Sequence, residues 1–326
     1  MSETAVLPIS IVAALIPTSL YVLLIYWVDR YEKEPWWLLV ATFLWGAIPS
    51  ILIAFVFNSI LSIPFFLFTD ETTGMALAAS LIAPPVEETV KGLAVLGIFL
   101  FWRDEIDSIL DGIIYGAMVG MGFALVENVY YFVNVYQELG QPAWQANIFI
   151  RGVIFGLNHA LFTAMTGLGI AIGRMSTSNL VKFGAPLTGW MVSMLLHFIH
   201  NATVSLGILL CGITLLADWG GVLITLIIIL WAVLQERQWL RTYLVDEVSQ
   251  GTLTQAQYEI AISGRRRSAH HLNLLLNFQL RKYQRSRRFF HHCSELAYKK
   301  HHHSLFADAA SRQQAATLRQ QLIDLG

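Results

Sequence analysis

Residues 75–102 read MALAASLIAPPVEETVKGLAVLGIFLFW, an apolar stretch that is interrupted near its middle by Glu87, Glu88 and Lys91. A helix needs about 20 mostly apolar residues to cross a lipid bilayer, and this stretch is long enough. A charged side chain inside the bilayer costs several kcal/mol unless another group compensates it, so such residues are functional candidates. The stretch therefore predicts a membrane-spanning helix whose charged side chains meet polar partners from other helices.

The rest of the chain has the composition of a polytopic membrane protein. Hydrophobic residues make up 56% of the 326 residues and charged residues only 13%, and the mean hydropathy is +0.56. About 25% of the residues in an ordinary soluble domain are charged, so these values exclude a disordered chain and argue against a soluble one. Six more stretches are long and apolar enough to span a membrane: Ala5–Val28, Trp36–Asn58, Leu110–Val135, Ile148–Gly173, Ala185–Leu210 and Trp219–Leu234.

The predicted fold is therefore all-α, a polytopic membrane bundle of about seven transmembrane helices. An eighth run, Ser59–Phe68, is short and contains Pro64, so we interpret it as an interfacial or re-entrant piece. Among the loops, Lys and Arg occur in alternate ones, and the positive-inside rule then places the N-terminus outside and the C-terminus in the cytoplasm. The expected location is the cell membrane, which the chain crosses several times.

Two domains are predicted, a transmembrane domain over residues 1–238 and a helical cytoplasmic tail over residues 239–326. The tail holds 13 Lys and Arg against 6 Asp and Glu, which favours contact with anionic lipids of the inner leaflet. Nucleic acid is not an expected partner, because no aromatic stacking surface or known binding motif accompanies the charge. The run His301–His303 could bind a metal, although such a run is more often a solvated stretch.

Four of the predicted spans carry ionisable or amide side chains, and these fall in one layer of the membrane. With about 1.5 Å of rise per residue, they lie roughly 18–25 Å from the cytoplasmic ends of their helices. Glu87 and Lys91 are four residues apart and can pair, which would leave Glu88 free for other work. The set comprises Glu87, Glu88 and Lys91, then Glu127 and Asn128, then Asn158 and His159, and finally His197, His200 and Asn201.

Two further patterns indicate how this layer is assembled. The dipeptide Pro84–Pro85 removes backbone donors just before Glu87, so it predicts a bend or break in the helix there. Gly112, Gly116 and Gly120 recur at every fourth residue, as in spans that pack closely against a neighbouring helix.

Glutamates, histidines and asparagines in one layer form a set that is suited to hydrolysis. Glu can act as a general base on water and His can relay the proton, while amide N–H groups can stabilise an oxyanion. Glu and His side chains can also ligate zinc with one position open for water, so a zinc site is the alternative to a metal-free site. The sequence has no HExxH motif, which argues against the zincin type of site.

Other interpretations compete with catalysis. A proton-coupled transporter, or a non-catalytic membrane sensor or scaffold, could use the same buried Glu and His cluster. His200 and Asn158 could serve only as helix–helix contacts. Arg151 is interpreted as an anchor at the outer interface. Ser193 lies four residues before His197, but no strained nucleophile turn accompanies it, so the case for a Ser–His pair is weak.

Four segments, taken in order, resemble the motifs of one family. EETVK at 87–91 is similar to the EExxK motif of the PrsW family of intramembrane proteases, and FALVEN at 123–128 to its FxxxEN motif. HALFT at 159–163 resembles its HxxxT element, and HFIHN at 197–201 its HxxxN element. The segment DRYEKEP after the first span is also similar to the first loop of that family. The resemblance covers about residues 1–245.

The resemblance implies an intramembrane endopeptidase, related to the CAAX prenyl endopeptidase and bacteriocin-processing group. One of Glu87 and Glu88, together with His159, would activate a water, while His197 and Asn201 would stabilise the oxyanion. The residues implied to support the site are Lys91, Glu127, Asn128 and His200. The cofactor would be zinc, with His159, His197 and Glu127 as candidate ligands, or none. The substrates would be membrane-anchored proteins, such as a membrane-bound anti-sigma factor.

Overall fold

A computed structural model of the protein describes residues 3–205 and 211–326, and within them the secondary structure is helical with no strand. The all-α prediction is confirmed for these residues. The helices in chain order are α1 Glu3–Val28, α2 Trp36–Trp45, α3 Ile51–Phe68, α4 Glu71–Leu77, α5 Ala83–Phe101, α6 Ile109–Phe149, α7 Asn158–Arg174, α8 Asn179–Ser205, α9 Cys211–Ser249, α10 Gln255–Ala261, α11 Gly264–Leu276, α12 Leu280–Phe306 and α13 Ala309–Leu325. The π-helical turns are Gly46–Ser50, Ala78–Ile82 and Ile150–Ile154.

Four stretches of the described chain are long and apolar enough to cross a membrane: Glu3–Val28, Trp36–Phe68, Ile109–Arg174 and Gly212–Ser249. The third of these is not one straight helix, because Gly140 has a φ of +81° and breaks α6. The structure thus supports a multi-pass helical membrane protein, while the number of seven spans stays a prediction.

The run Ser59–Phe68 is continuous with the residues before it, and its interfacial or re-entrant place stays a prediction. These residues continue α3, which runs from Ile51 to Phe68 with Pro64 inside it. A proline costs a helix one backbone hydrogen bond. The helix nevertheless continues, since an apolar segment in lipid has no water to pair with a backbone released from the helix.

Contacts divide the chain into two compact units. The first comprises Met1–Val28 and Glu34–Ile228, and the second comprises Asp29–Lys33 and Ile229–Gly326. The first unit holds α1 to α8 and the beginning of α9, and the second holds the remainder of α9 and α10 to α13. The domain boundary proposed at residue 238 falls inside α9 and stays a prediction.

The helix that carries Glu87 and Glu88 begins just before them, as the two prolines predict. The π-helical turn Ala78–Ile82 ends at Ile82, and α5 begins at Ala83, so that Pro84–Pro85 lies in its first turn. The first backbone N–H groups of a helix have no partner within it, so proline costs little there. The two prolines therefore set the start of α5, and this start places Glu87 and Glu88 in its first two turns.

Helices α6 and α7 approach so closely that only glycine fits at their contact. A Cβ atom on Gly120 would lie 2.1 Å from the carbonyl oxygen of His159, and one on Gly116 would lie 2.5 Å from that of Thr163. The predicted glycine stripe is therefore confirmed as the surface that brings α6 against α7. This contact fixes the backbone that carries His159.

We expect Gly120→Ala to destabilise the protein by about 1–3 kcal/mol, because the new methyl group must displace the α7 backbone. Gly97→Ala is the matched control: Gly97 lies in α5, and a Cβ atom there would meet nothing within 4 Å. The measurement is the midpoint of unfolding in detergent for both variants and the wild type. Equal midpoints for Gly120→Ala and Gly97→Ala would show that α7 can move away from α6 at little cost.

Candidate active site

Glu88 is the most firmly held carboxylate of the polar layer. Its Oε1 accepts a hydrogen bond from Lys91 Nζ at 2.7 Å and pairs with His197 Nδ1 at 3.0 Å. Its Oε2 accepts from Thr163 Oγ1 at 2.9 Å and from Ser193 Oγ at 2.8 Å. The side chain has 0% exposure, so both oxygens are saturated and closed to water. Glu88 is thereby placed to fix α5, α7 and α8 relative to one another.

Glu87, by contrast, has weaker contacts. Asn58 Nδ2 donates to its Oε1 at 3.3 Å, and Lys91 Nζ lies 3.5 Å from its Oε2. His197 Nε2 lies 3.9 Å from the same Oε2, which is too long for a hydrogen bond. The predicted Glu87–Lys91 pair is therefore present, but the expectation that it leaves Glu88 free is wrong. Lys91 reaches both carboxylates and lies closer to Glu88.

Two histidines face each other across the site, and a carboxylate holds each of them. His159 Nε2 pairs with Glu127 Oε2 at 2.8 Å, and His197 Nδ1 pairs with Glu88 Oε1 at 3.0 Å. The ring centroids are 5.3 Å apart. A carboxylate that accepts from one ring nitrogen fixes the tautomer and leaves the lone pair on the other nitrogen. The nitrogens that keep a lone pair are then Nδ1 of His159 and Nε2 of His197. Nδ1 of His159 accepts a hydrogen bond from Lys91 Nζ at 3.1 Å.

Three of these side chains are a candidate set for a metal ion, which Nδ1 of His159 can bind once Lys91 Nζ gives up its contact with that nitrogen. Glu87, His159 and His197 each offer a ligand atom, and the three atoms lie within 4.8 Å of one another. Two imidazoles and one carboxylate, with a further position for water, form a known ligand set of catalytic zinc sites. The ligand candidates from the sequence were His159, His197 and Glu127. In the structure Glu87 joins the two histidines, and Glu127 lies behind His159 as its hydrogen-bond partner.

Arg151 belongs to this cluster, so its interpretation as an anchor at the outer interface is wrong. Its Nη2 donates a short hydrogen bond to Glu127 Oε2, and its Nε donates to Asn128 Oδ1 at 3.0 Å. Its guanidinium carbon lies 3.9 Å from the centroid of the Tyr131 ring. A partly buried carboxylate is stabilised by a counterion, and Arg151 supplies it to Glu127. The Arg151–Glu127 pair is thus the partner against which the His159 ring is oriented.

The sequence matches the profile of the family described as "PrsW family intramembrane metalloprotease" over residues 34–237. The chain belongs to this family. It is 26% identical over 193 residues to Protease PrsW of Oceanobacillus iheyensis, which covers 59% of this chain and 82% of that relative. It is 27% identical over 179 residues to Protease PrsW of Clostridioides difficile, which covers 54% and 72%. With Protease PrsW of Geobacillus kaustophilus the identity is 32% over 143 residues, or 44% and 56%. No solved structure matches the chain.

Membership of the PrsW family makes the protein an intramembrane protease, as the motifs predicted. It supports proteolysis over the transporter, sensor and scaffold alternatives. A protease within the membrane acts on membrane-embedded protein substrates and is surrounded by lipid. The family description also implies a metal, for which Glu87, His159 and His197 form a candidate set.

A second polar group of this PrsW-family protease lies beside the first and includes a residue that sequence reasoning missed. Asp218 Oδ2 pairs with His200 Nδ1 at 2.7 Å and accepts from Asn158 Nδ2 at 2.9 Å. The last predicted span begins at Trp219, so it leaves Asp218 just outside. A single acidic residue between two apolar runs was the signal that could have placed it in the membrane layer. His200 and Asn158 thus make contacts between helices, as their non-catalytic interpretation predicts.

Asn201 and Ser193 are the remaining residues that the sequence placed near His197. Asn201 Nδ2 donates to the carbonyl oxygen of Ala79 at 2.8 Å, within the π-helical turn that precedes α5. The structure therefore places this amide on the backbone that leads to Glu87, apart from the His159–His197 pair. Ser193 donates to Glu88 and not to His197, so the structure does not form the Ser–His pair.

Proposed function

We propose that Glu87, His159 and His197 form the catalytic centre and hold a zinc ion there, and that the protease hydrolyses peptide bonds of single-span membrane proteins. The convergence of these three side chains from α5, α7 and α8 is the observation that carries the proposal. Of the two adjacent glutamates, Glu87 has the more accessible side chain, with 7% exposure against 0% for Glu88.

Each neighbouring residue has a role that follows from its contacts. Glu88 and Glu127 accept from His197 and His159 and orient their rings towards the centre. Lys91 offsets the charge of the adjacent glutamates, and Arg151 offsets that of Glu127. Asn201 is a positioning residue, because it holds the turn that precedes Glu87. Zinc bound at such a site lowers the pKa of water and polarises a carbonyl group.

The hydrolysis then needs one proton acceptor and one proton donor. Water adds its oxygen to the carbonyl carbon of the scissile peptide bond, and Glu87 would take the proton that the water loses on the carboxylate oxygen that it does not offer to an ion. The same proton passes from Glu87 to the amide nitrogen as the carbon–nitrogen bond breaks. The products are a carboxylic acid and an amine, and Glu87 is again ionised.

The finer features of location are part of the same proposal. The N-terminus lies outside and the tail in the cytoplasm, on the alternation of basic loops. Residues 1–238 form the protease domain, and the basic tail from residue 239 contacts anionic lipids. A membrane-bound anti-sigma factor is one substrate of the proposed class.

Removal of the metal tests the chemical part of the proposal. We expect a strong chelator to lower the cleavage of a reconstituted single-span substrate by about a hundredfold or more, because the water then loses its activation. Added Zn²⁺ should restore the rate, and added Mg²⁺ should not, since imidazole ligands favour zinc. Undiminished cleavage by protein shown to be metal-free by mass spectrometry would overturn the zinc assignment.

A further inference from the structure

A second group of metal-ligating side chains lies in the unit formed by Asp29–Lys33 and Ile229–Gly326. Glu32 belongs to the segment after α1, while His291 and Glu295 belong to α12. Each offers a ligand atom, and the three atoms lie within 4.8 Å of one another. We call these three residues the tail cluster. All lie outside the residues that match the family profile, so the family activity assigns them no role.

The two ligands on α12 have the spacing and separation of a metal-binding pair. His291 and Glu295 are four residues apart, so their side chains lie on the same face of the helix. His291 Nε2 is 3.8 Å from Glu295 Oε1, which is beyond hydrogen-bond distance. Two ligands on one tetrahedral zinc ion, with bonds of about 2.0–2.2 Å, are separated by roughly 3.4 Å. A small side-chain rotation therefore brings the two atoms to the distance that a shared ion requires.

A similar arrangement occurs in the candidate active site. There Glu87 Oε2 and His197 Nε2 are 3.9 Å apart, and Glu88 holds the other ring nitrogen of His197. In the tail cluster, His292 Nδ1 holds the other oxygen of Glu295 at 2.6 Å. Metal ligands are usually oriented by such a hydrogen bond on the atom that does not bind the ion.

The segment that carries Glu32 is fixed against the helices of the tail. The carbonyl oxygen of Tyr31 accepts from Arg267 Nη1 at 2.6 Å and from Ser294 Oγ at 2.7 Å. The Tyr31 side chain is buried, and its hydroxyl accepts from the backbone N–H of Gly264. Glu32 is therefore held beside α12 by its neighbour, so little conformational freedom remains to be lost when an ion binds.

We propose that the tail cluster binds a divalent transition-metal ion of the zinc class, which crosslinks the segment after α1 to α12. With a neutral imidazole the three ligands carry two negative charges, which balance those of a dication. One nitrogen and two oxygen ligands suit zinc or a related first-row ion, whereas magnesium and calcium prefer oxygen alone. All three side chains are partly exposed, so an ion can reach them.

The histidine run His301–His303, the stretch that first suggests a metal site in the tail, has other partners. His301 stacks on Trp239, with ring centroids 4.1 Å apart. His302 Nδ1 pairs with Asp308 Oδ2 at 3.1 Å, and His303 Nδ1 bonds to the carbonyl oxygen of the same residue. This run therefore supplies a matched control for the tail cluster.

The test counts zinc bound per chain in the full-length protein in detergent, after chelation, reloading with Zn²⁺ and desalting. The background is His159→Ala/His197→Ala, which removes the two active-site imidazoles. In that background we compare the intact tail with three further changes: His291→Ala, Glu32→Gln and the control His303→Ala. We expect about one zinc per chain for the intact tail and for His303→Ala. The other two should retain much less, because loss of a ligand weakens the affinity at least about tenfold.

The comparison separates the tail cluster from the active site. The difference between the wild type and the double-alanine background reports the active-site zinc, and only the differences within the background report the tail. Equal zinc in all four chains would overturn the proposal, as would loss of zinc in His303→Ala. Loss in His291→Ala but not in Glu32→Gln would overturn the crosslink. If His291→Ala fails to fold, the isosteric Glu32→Gln decides.

Discussion

Glu87→Gln is expected to lower the rate of substrate cleavage by about 10²–10⁴-fold, the range that a general base contributes. Gln keeps the shape of the side chain, but it cannot take a proton from water, and it is a poorer metal ligand. The stability of the protein should change little, because Glu87 has only long contacts, 3.3 Å to Asn58 and 3.5 Å to Lys91. The measurement is cleavage of a reconstituted membrane substrate, together with the unfolding midpoint and the zinc content.

Glu88→Gln is the matched control, since it makes the same chemical change one residue further along α5. Glu88 is saturated by Lys91, His197, Thr163 and Ser193, so its substitution should lower the unfolding midpoint first and activity only through the altered position of His197. A third variant, Glu87→Asp, tests whether position 87 must accept a proton. It keeps a carboxylate, so it should retain more activity than Glu87→Gln. A stable, inactive Glu88→Gln beside an active Glu87→Gln would exchange the two assignments.

Much of the fold could be predicted from the sequence, because each prediction rested on local physics. Apolar runs of about 20 residues and the dipeptide Pro84–Pro85 act within their own segment, and the glycines at 112, 116 and 120 form a repeat that is visible in one segment. Pro64 does not separate Ser59–Phe68 from Ile51–Asn58, because an apolar helix in lipid has no other partner for its backbone groups.

The site could be predicted as a set of residues but not as a set of contacts. Glu87 and Glu88 are adjacent, and Lys91 is three or four residues away from each, so helical spacing alone allows both pairs. The choice depends on Thr163, Ser193 and His197 of other helices, which saturate Glu88. The contacts of Arg151 with Glu127 and of Asp218 with His200 also join different helices, so helical spacing could not predict them.

The ion pair inside the site predicts the largest loss of stability. Lys91 has 0% exposure and donates to Glu88, so neither charge can reach water. Lys91→Met removes the cation and leaves the Glu88 carboxylate buried without it. Removal of one partner from such a pair costs about 3–5 kcal/mol. We expect a lower unfolding midpoint in detergent and, because His197 depends on Glu88, a loss of cleavage as well.

A double-mutant cycle separates the pair from its surroundings. In Glu88→Gln/Lys91→Met neither buried charge of the pair remains, and Gln can still accept from Thr163 and Ser193. The double variant should therefore be more stable than the sum of the single changes predicts, by about 0.5–3 kcal/mol. Cleavage should not recover with stability, since neutral Gln orients the His197 ring less strongly than a carboxylate does. If the two losses simply add, Lys91 and Glu88 are not coupled, and the firm hold of Glu88 on α5, α7 and α8 must come from the two hydroxyl groups.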